Sequence, residues 1–309
     1  MQIDYAAITH PGKVRKNNED AYVVSVLDGE EPLINGSMRI RRANANGLLA
    51  AVADGMGGAA AGEIASREGL AAVALYLFGN WGVLPAEALS EDLLVQVLKS
   101  AVEEASHAVL RYSDADKAAR GMGSTLTAAM IWGRHAFLAQ VGDSRAYLFR
   151  QRTLTQLTVD QTLVNEMISS GTLTPEQARV HPQRNMITQA LGCPQPLVVA
   201  LGKVALRRGD RLLLSSDGLH GEVPEERISA ILAEGLSPRK TLELLLEAAM
   251  ARGARDNITA LLMVLDDPAL PLPAMGEPAE VSDPTSHMTI RSRGGLMTRL
   301  GRMFVGKSE

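Results

Sequence analysis

Five short motifs place carboxylates beside glycine or small polar residues at the ends of apolar runs. They are Asn18-Glu19-Asp20, Asp54-Gly55-Met56-Gly57-Gly58, Gly142-Asp143-Ser144-Arg145, Ser216-Asp217-Gly218 and Asp256-Asn257. Carboxylate oxygens suit hard divalent cations such as magnesium and manganese, and glycine lets a backbone carbonyl or a bound water approach closely. Taken singly, each motif reads as a turn, because Asp-Gly is an ordinary turn dipeptide. Taken together they form a cation centre only if the fold gathers residues far apart in the chain. The glycines at 55–58 match neither a phosphate loop with its lysine nor a dinucleotide fingerprint, so they give no reason to expect a bound nucleotide.

The elements around these motifs alternate in character. Short strands are expected at 21–27 and 48–53, with a hairpin or surface loop between them at 28–47. Apolar spacing near 3.6 residues predicts helices at 63–78 and 91–112. Strands follow at 124–132, 135–141 and 146–150, then a mixed segment at 160–190 that reads as a mobile flap. A strand at 210–215, helices at 224–233 and 237–251, and a last strand at 258–265 complete the pattern. This order is compatible with a mixed α/β sheet or with an αββα sandwich.

Composition limits the function classes. Hydrophobic residues make up 46% of the 309 and charged residues 21%, enough for a folded core. The formal charge of −4 gives no general reason to bind nucleic acid. Apolar runs are too short for a transmembrane segment, and the first residues lack the apolar stretch of a signal peptide. Cys193 is the one cysteine, which excludes an intramolecular disulfide and suits a reducing, cytoplasmic setting. Residues 266–285 hold five acids, five prolines and no base, and read as a linker outside the packed core. Residues 286–309 hold five bases and one acid, and read either as a flexible, solubilising tail or as a segment for contact with a partner protein or an anionic membrane surface.

In order and spacing the motifs resemble the metal-dependent protein phosphatases of type 2C, especially their bacterial branch. The likeness covers residues 4–265. It runs through Gly12-Lys13-Val14-Arg15, Asn18-Glu19-Asp20-Ala21 and Val52-Ala53-Asp54-Gly55-Met56-Gly57-Gly58. It continues in Gly123-Ser124-Thr125, Val141-Gly142-Asp143-Ser144-Arg145, Leu214-Ser215-Ser216-Asp217-Gly218-Leu219 and Arg255-Asp256-Asn257-Ile258-Thr259. The resemblance implies an α+β fold, a four-layer αββα sandwich with two mainly antiparallel sheets. It implies one catalytic domain over 1–265, including a flap at about 160–192.

The same resemblance implies two manganese or magnesium ions per site. Asp54 bridges them, the Gly55 carbonyl joins the second, and Asp217 and Asp256 complete the protein ligands of the first. Glu19 and Asp20 hold the water shell, with Glu19 nearer the second ion, and Asp143 with Asp217 leaves room for a third ion. Arg15 is expected to grip the substrate phosphate, a planar two-pronged contact that lysine cannot reproduce. The implied activity is hydrolysis of phosphoserine and phosphothreonine in proteins by a monomer working against a serine/threonine kinase. A broader small-molecule phosphomonoesterase and a non-catalytic phosphosignal-binding module are the alternatives. One departure stands out: many bacterial relatives carry Asp-His where this chain has Asp160-Gln161. The change is expected to alter the flap or local hydrogen bonds more than the reaction. His181, further along the flap, is expected to be structural more than a ligand.

Overall fold

The computed structural model describes residues 1–27, 33–35, 41–44, 47–57, 61–81, 90–284 and 289–290. The chain opens with β1 (Gln2–His10), β2 (Asp20–Val26), β3 (Leu33–Ile34), β4 (Arg41–Asn44) and β5 (Leu48–Met56). Two long helices follow, α1 (Ala61–Trp81) and α2 (Glu91–Ala115), then β6 (Gly123–Ser124), β7 (Leu126–Trp132), β8 (His135–Val141), β9 (Arg145–Arg150) and β10 (Thr153–Gln156). The flap carries α3 (Leu163–Ser169) and α4 (Pro175–Arg179). The remainder is β11 (Ala200–Ala205), β12 (Asp210–Ser215), α5 (Asp217–His220), α6 (Glu225–Leu232), α7 (Pro238–Ala251), β13 (Ile258–Leu265), β14 (Val281–Ser282) and β15 (Thr289–Ile290).

Two antiparallel sheets form the centre. One has the order β10-β9-β12-β13-β1-β4, and the other runs β15-β14-β11-β8-β7-β5-β2-β3 with β6 paired to β5. Strands buried on both faces read as continuous apolar runs, and their alternation assigns each side chain to a layer. Tyr22, Val24, Ala50 and Val52 meet Tyr5, Leu148, Leu214 and Met263 between the sheets. Val23, Leu49, Ala51 and Met130 point outward onto α1 and α2, packing against Leu70, Leu77, Leu98 and Val102. On the opposite side Ala6, Tyr147, Leu213 and Leu262 pack on Leu219, Ile231 and Leu245 of α5–α7. Three apolar layers separate four structural ones, as the αββα expectation requires.

The structure corrects two expectations. Of the two readings of 28–47 the hairpin stands, since β2 pairs antiparallel with β5, but the connection is no plain surface loop: β3 pairs with β2 in one sheet and β4 with β1 in the other. Nor do residues 266–284 lie outside the core. Leu270 and Ala279 are buried between the sheets, and Val281–Ser282 pairs with β11. The stretch tolerates its acids because arginines meet them. Glu277 pairs with Arg207 at 2.7 Å and lies 3.7 Å from Arg150, while Arg150 donates to the Pro278 carbonyl and forms a two-pronged pair with Asp210. Apart from Thr289–Ile290, the basic stretch 286–309 lies outside the described residues.

Candidate metal and phosphate site

The acid motifs converge where both sheets end on the same side. Asp20 is the first residue of β2 and Asp54 lies directly opposite it on β5. Asp143 sits in the turn where the chain leaves β8 in one sheet and enters β9 in the other. Asp217 follows β12, and Asp256 precedes β13, its neighbour in the same sheet. A centre assembled here therefore draws on both sheets.

Local geometry holds each backbone in place. Asp54 donates its N–H to the Thr125 hydroxyl at 2.9 Å, and its carbonyl accepts from the Thr125 N–H and the Ser124 hydroxyl. Gly55 is pressed between two backbones: a Cβ there would lie 1.9 Å from the Gly62 carbonyl oxygen and 2.7 Å from that of Glu19. Its N–H donates to the Glu19 carbonyl. Gly62, in the first turn of α1, leaves space for the Glu19 carboxylate, 2.2 Å from where its own Cβ would be.

Asn257 ties the ends of the domain together. Its Oδ1 accepts from the Glu19 N–H at 2.8 Å, and its Nδ2 donates to the carbonyls of Pro11 and Asn17. Ser216 performs the equivalent task between sheets, donating its hydroxyl to Asp20 at 2.7 Å and accepting from the Thr259 N–H at 3.0 Å. Ser216, Thr125 and Asn257 fall inside the motifs, yet no role was read for them from sequence. Their partners are far away in the chain, so adjacency to an acid was the only signal. Gly62 carried none.

The electrostatics are those of buried carboxylates that repel one another. Asp20 is 2% exposed, and burial, with repulsion from Asp217 and Asp256, raises its pKa to about 7. Burial also raises Asp143 to about 7, with help from Asp217 and Asp160. Asp54 is enclosed by protein but still partly reached by solvent. Burial, then the fields of Asp20, Asp217, Asp143 and Asp256, drives its pKa well above the ordinary carboxylate range. Burial and Asp256 likewise raise Asp217. Oδ1 of Asp20 and Oδ1 of Asp217 are both buried without a hydrogen-bond partner.

Protein donors alone do not offset this charge. Arg15 is 56% exposed and meets the cluster through one contact, donating to Asp256 at 2.7 Å. Unpartnered buried oxygens and mutually repelling acids are the donor chemistry of a hard dication. Among the described residues no three acid, histidine or cysteine side chains stand close enough together to hold a metal ion by themselves. Magnesium keeps several waters and is commonly held by one or two carboxylates, so a hydrated ion asks less of the protein than a full ligand set.

The other expected residues occupy the periphery. Arg145 is engaged by Asp160 through two nitrogens at 2.7–3.1 Å and donates to the Tyr147 hydroxyl, so it reaches the acid cluster only through its field on Asp143. His181 accepts from the Gln183 N–H inside the flap.

Known proteins place this arrangement. The family model described as protein phosphatase 2C matches residues 37–262. The serine/threonine phosphatase stp of Listeria welshimeri is 34% identical over 255 residues, covering 82% of this chain and 93% of that protein. The crystal structure of the Mycobacterium tuberculosis serine/threonine phosphatase PstP/Ppp matches with a TM-score of 0.71 at 35% identity. The match covers 86% of this chain and 100% of that one. A structure of the PstP catalytic domain in complex with 2 manganese ions is 34% identical, with a TM-score of 0.68, over 86% of this chain and 99% of that one. The fold, the ordered motifs and these likenesses agree: the chain belongs to the protein phosphatase 2C family.

Proposed function

We propose that this chain hydrolyses phosphoserine and phosphothreonine monoesters in proteins, with divalent ions bound among Asp54, the Gly55 carbonyl, Asp217 and Asp256. The observation that carries the reading is the buried acid cluster at the junction of the two sheets, with unpartnered Oδ1 atoms on Asp20 and Asp217. Bound dications would supply the Lewis acidity that makes water a nucleophile near neutral pH and offsets charge on the phosphoryl oxygens.

The protein's own work is positional. Asp54 would bridge two ions, since its carboxylate faces the fields of four other acids. Ser216 fixes one Asp20 oxygen and leaves the other for the water shell. Glu19 would serve the second ion, its backbone held by Asn257 and its side chain accommodated by Gly62. Asp143, which feels the field of Asp217, would be the acid to hold a third ion. Arg15 has donors beyond its contact with Asp256 and is exposed enough to orient a phosphate. An in-line attack needs no side-chain nucleophile and so no covalent phosphoenzyme.

The deciding experiment is phosphate release from phosphoserine and phosphothreonine peptides with and without manganese, with Asp54→Asn as control. Release that depends on manganese and is lost in the variant supports the reading. Equal, metal-independent release by both proteins refutes it. Release from small esters alone favours a broader phosphomonoesterase, and phosphopeptide binding without turnover favours a binding module.

A further inference from the structure

Gln161 stands where the family resemblance leads one to expect histidine, and its carboxamide bridges Gly142 and Val198, each two residues beyond the Gln140–Ala200 end of the β8–β11 pair. Oε1 accepts from the Gly142 N–H at 2.7 Å, and Nε2 donates to the Val198 carbonyl at 2.9 Å. Backbone contacts reinforce both ends. The Gln161 N–H donates to the Gly142 carbonyl at 2.9 Å, and its carbonyl accepts from the Thr188 N–H at 2.8 Å. Val198 is held a second time through its N–H to Gln189 Oε1.

Gly142 in turn abuts Thr125. Its φ is +97°, and a Cβ on it would lie 2.7 Å from Thr125 Cγ2, so this turn has little freedom to move alone. Thr125 accepts from the Asp54 N–H and shares a hydrogen bond with the Ser144 hydroxyl at 2.8 Å. A continuous path of contacts therefore runs from Asp54 through Thr125 and the Gly142–Ser144 turn to Gln161. From there it reaches the segment 188–198 that leads out of the flap.

We propose that Gln161 is a positioning residue that couples the Asp143 turn to residues 188–198, so that order at the metal-binding turn and order at the flap exit rise and fall together. A carboxamide suits the task because it accepts at one end and donates at the other; a carboxylate can only accept, and an alkyl group can do neither. The coupling stands on the hydrogen bonds alone, whereas its effect on catalysis rests on the phosphatase reading given above.

The test uses the full chain and two variants, Gln161→Leu, which removes both contacts, and Gln161→Glu, which keeps the acceptor and removes the donor. The first readout is amide hydrogen exchange of the metal-free protein, which requires no activity. In Gln161→Leu the Gly142 and Thr188 amides exchange about five- to ten-fold faster, the scale of one net hydrogen bond. In Gln161→Glu the Gly142 amide stays protected while Thr188 loosens. The second readout is kinetic. In Gln161→Leu the manganese concentration for half-activation and the phosphopeptide KM both rise by a similar factor, with kcat reduced less than KM is raised. In Gln161→Glu the peptide KM rises alone.

Parental exchange at both amides in Gln161→Leu overturns the coupling, as does faster exchange at Gly142 alone. If the leucine variant does not fold, loss of Gly142 protection in Gln161→Glu overturns it as well. The predicted exchange pattern in a protein that releases phosphate from no ester upholds the coupling and removes the phosphatase reading.

Discussion

Asp20 and Asp54 face each other across β2 and β5, two carboxylates at directly opposed positions of one antiparallel pair. Like charges so placed repel, and only Asp20 has a resolved hydroxyl donor, Ser216, at its carboxylate. Such a pair is tolerated where bound cations take up the charge.

Asp54→Asn should therefore separate activity from stability. Turnover on a phosphopeptide falls by at least about 100-fold, the scale of losing a principal electrostatic group in an active site. The metal-free variant melts at a higher temperature than its parent, because one repelling charge is gone. Phosphate release and thermal unfolding of the same preparations check both halves.

Metal-free stability should depend on pH through Asp143. Its pKa is raised from the usual 3.8 to about 7, so the folded state binds the proton more tightly than the unfolded state does. Stability tied to this group is present below about pH 4 and is lost as pH rises through 7. His135 and His220 act in the opposite sense, since their pKa values are lowered by burial. The clean measurement is thus the melting difference between Asp143→Asn and the parent. That difference should grow in favour of the variant from pH 5 to pH 8 and shrink when manganese is added.

Two glycines give contrasting outcomes. Gly55→Ala drives a methyl group into the Gly62 and Glu19 backbones and destabilises the protein by at least about 2 kcal/mol in urea unfolding. Gly62→Ala mainly displaces the Glu19 carboxylate, which can rotate away. It keeps more of the stability and raises the manganese needed for half-maximal activity by about ten-fold, as loss of a supporting group around a metal does.

Arg150 and Asp210 form a salt bridge at 2.7 Å with side chains 4% and 1% exposed. Arg150→Ala strands the Asp210 charge and should cost about 3–5 kcal/mol. It also removes the donor to Pro278, so limited proteolysis should cut between 266 and 284 faster than in the parent.

Much of this architecture was legible in the sequence where one period dominated. The strands Asp210–Ser215 and Ile258–Leu265 have the bounds that their apolar runs suggested. The first strand, Gln2–His10, was missed because its apolar residues serve two layers and its polar ones break any simple alternation. Residues 266–284 misled by composition: proline and acid usually mark a linker, and only the folded chain brings Arg150 and Arg207 against Glu277. The acid motifs themselves stood out from sequence. What positions them did not, since Ser216 reaches Asp20 across 196 residues and Thr125 reaches Asp54 across 71.

The hydrogen bond from the Glu19 N–H to Asn257 joins residues 238 positions apart. Closing a loop of that length costs roughly 5 kcal/mol of chain entropy, so this contact belongs late in folding. Its consequence lies in biosynthesis. A chain emerging from the ribosome carries Glu19, Asp20 and Asp54 early, but lacks Asp256 and the strand that seats it until nearly the whole domain has been made. At about 5–20 residues per second, the interval from Asp54 to Asp256 lasts roughly 10–40 seconds, during which, on the proposed ligand set, a half-built chain would lack a complete site for acting on phosphoproteins around it.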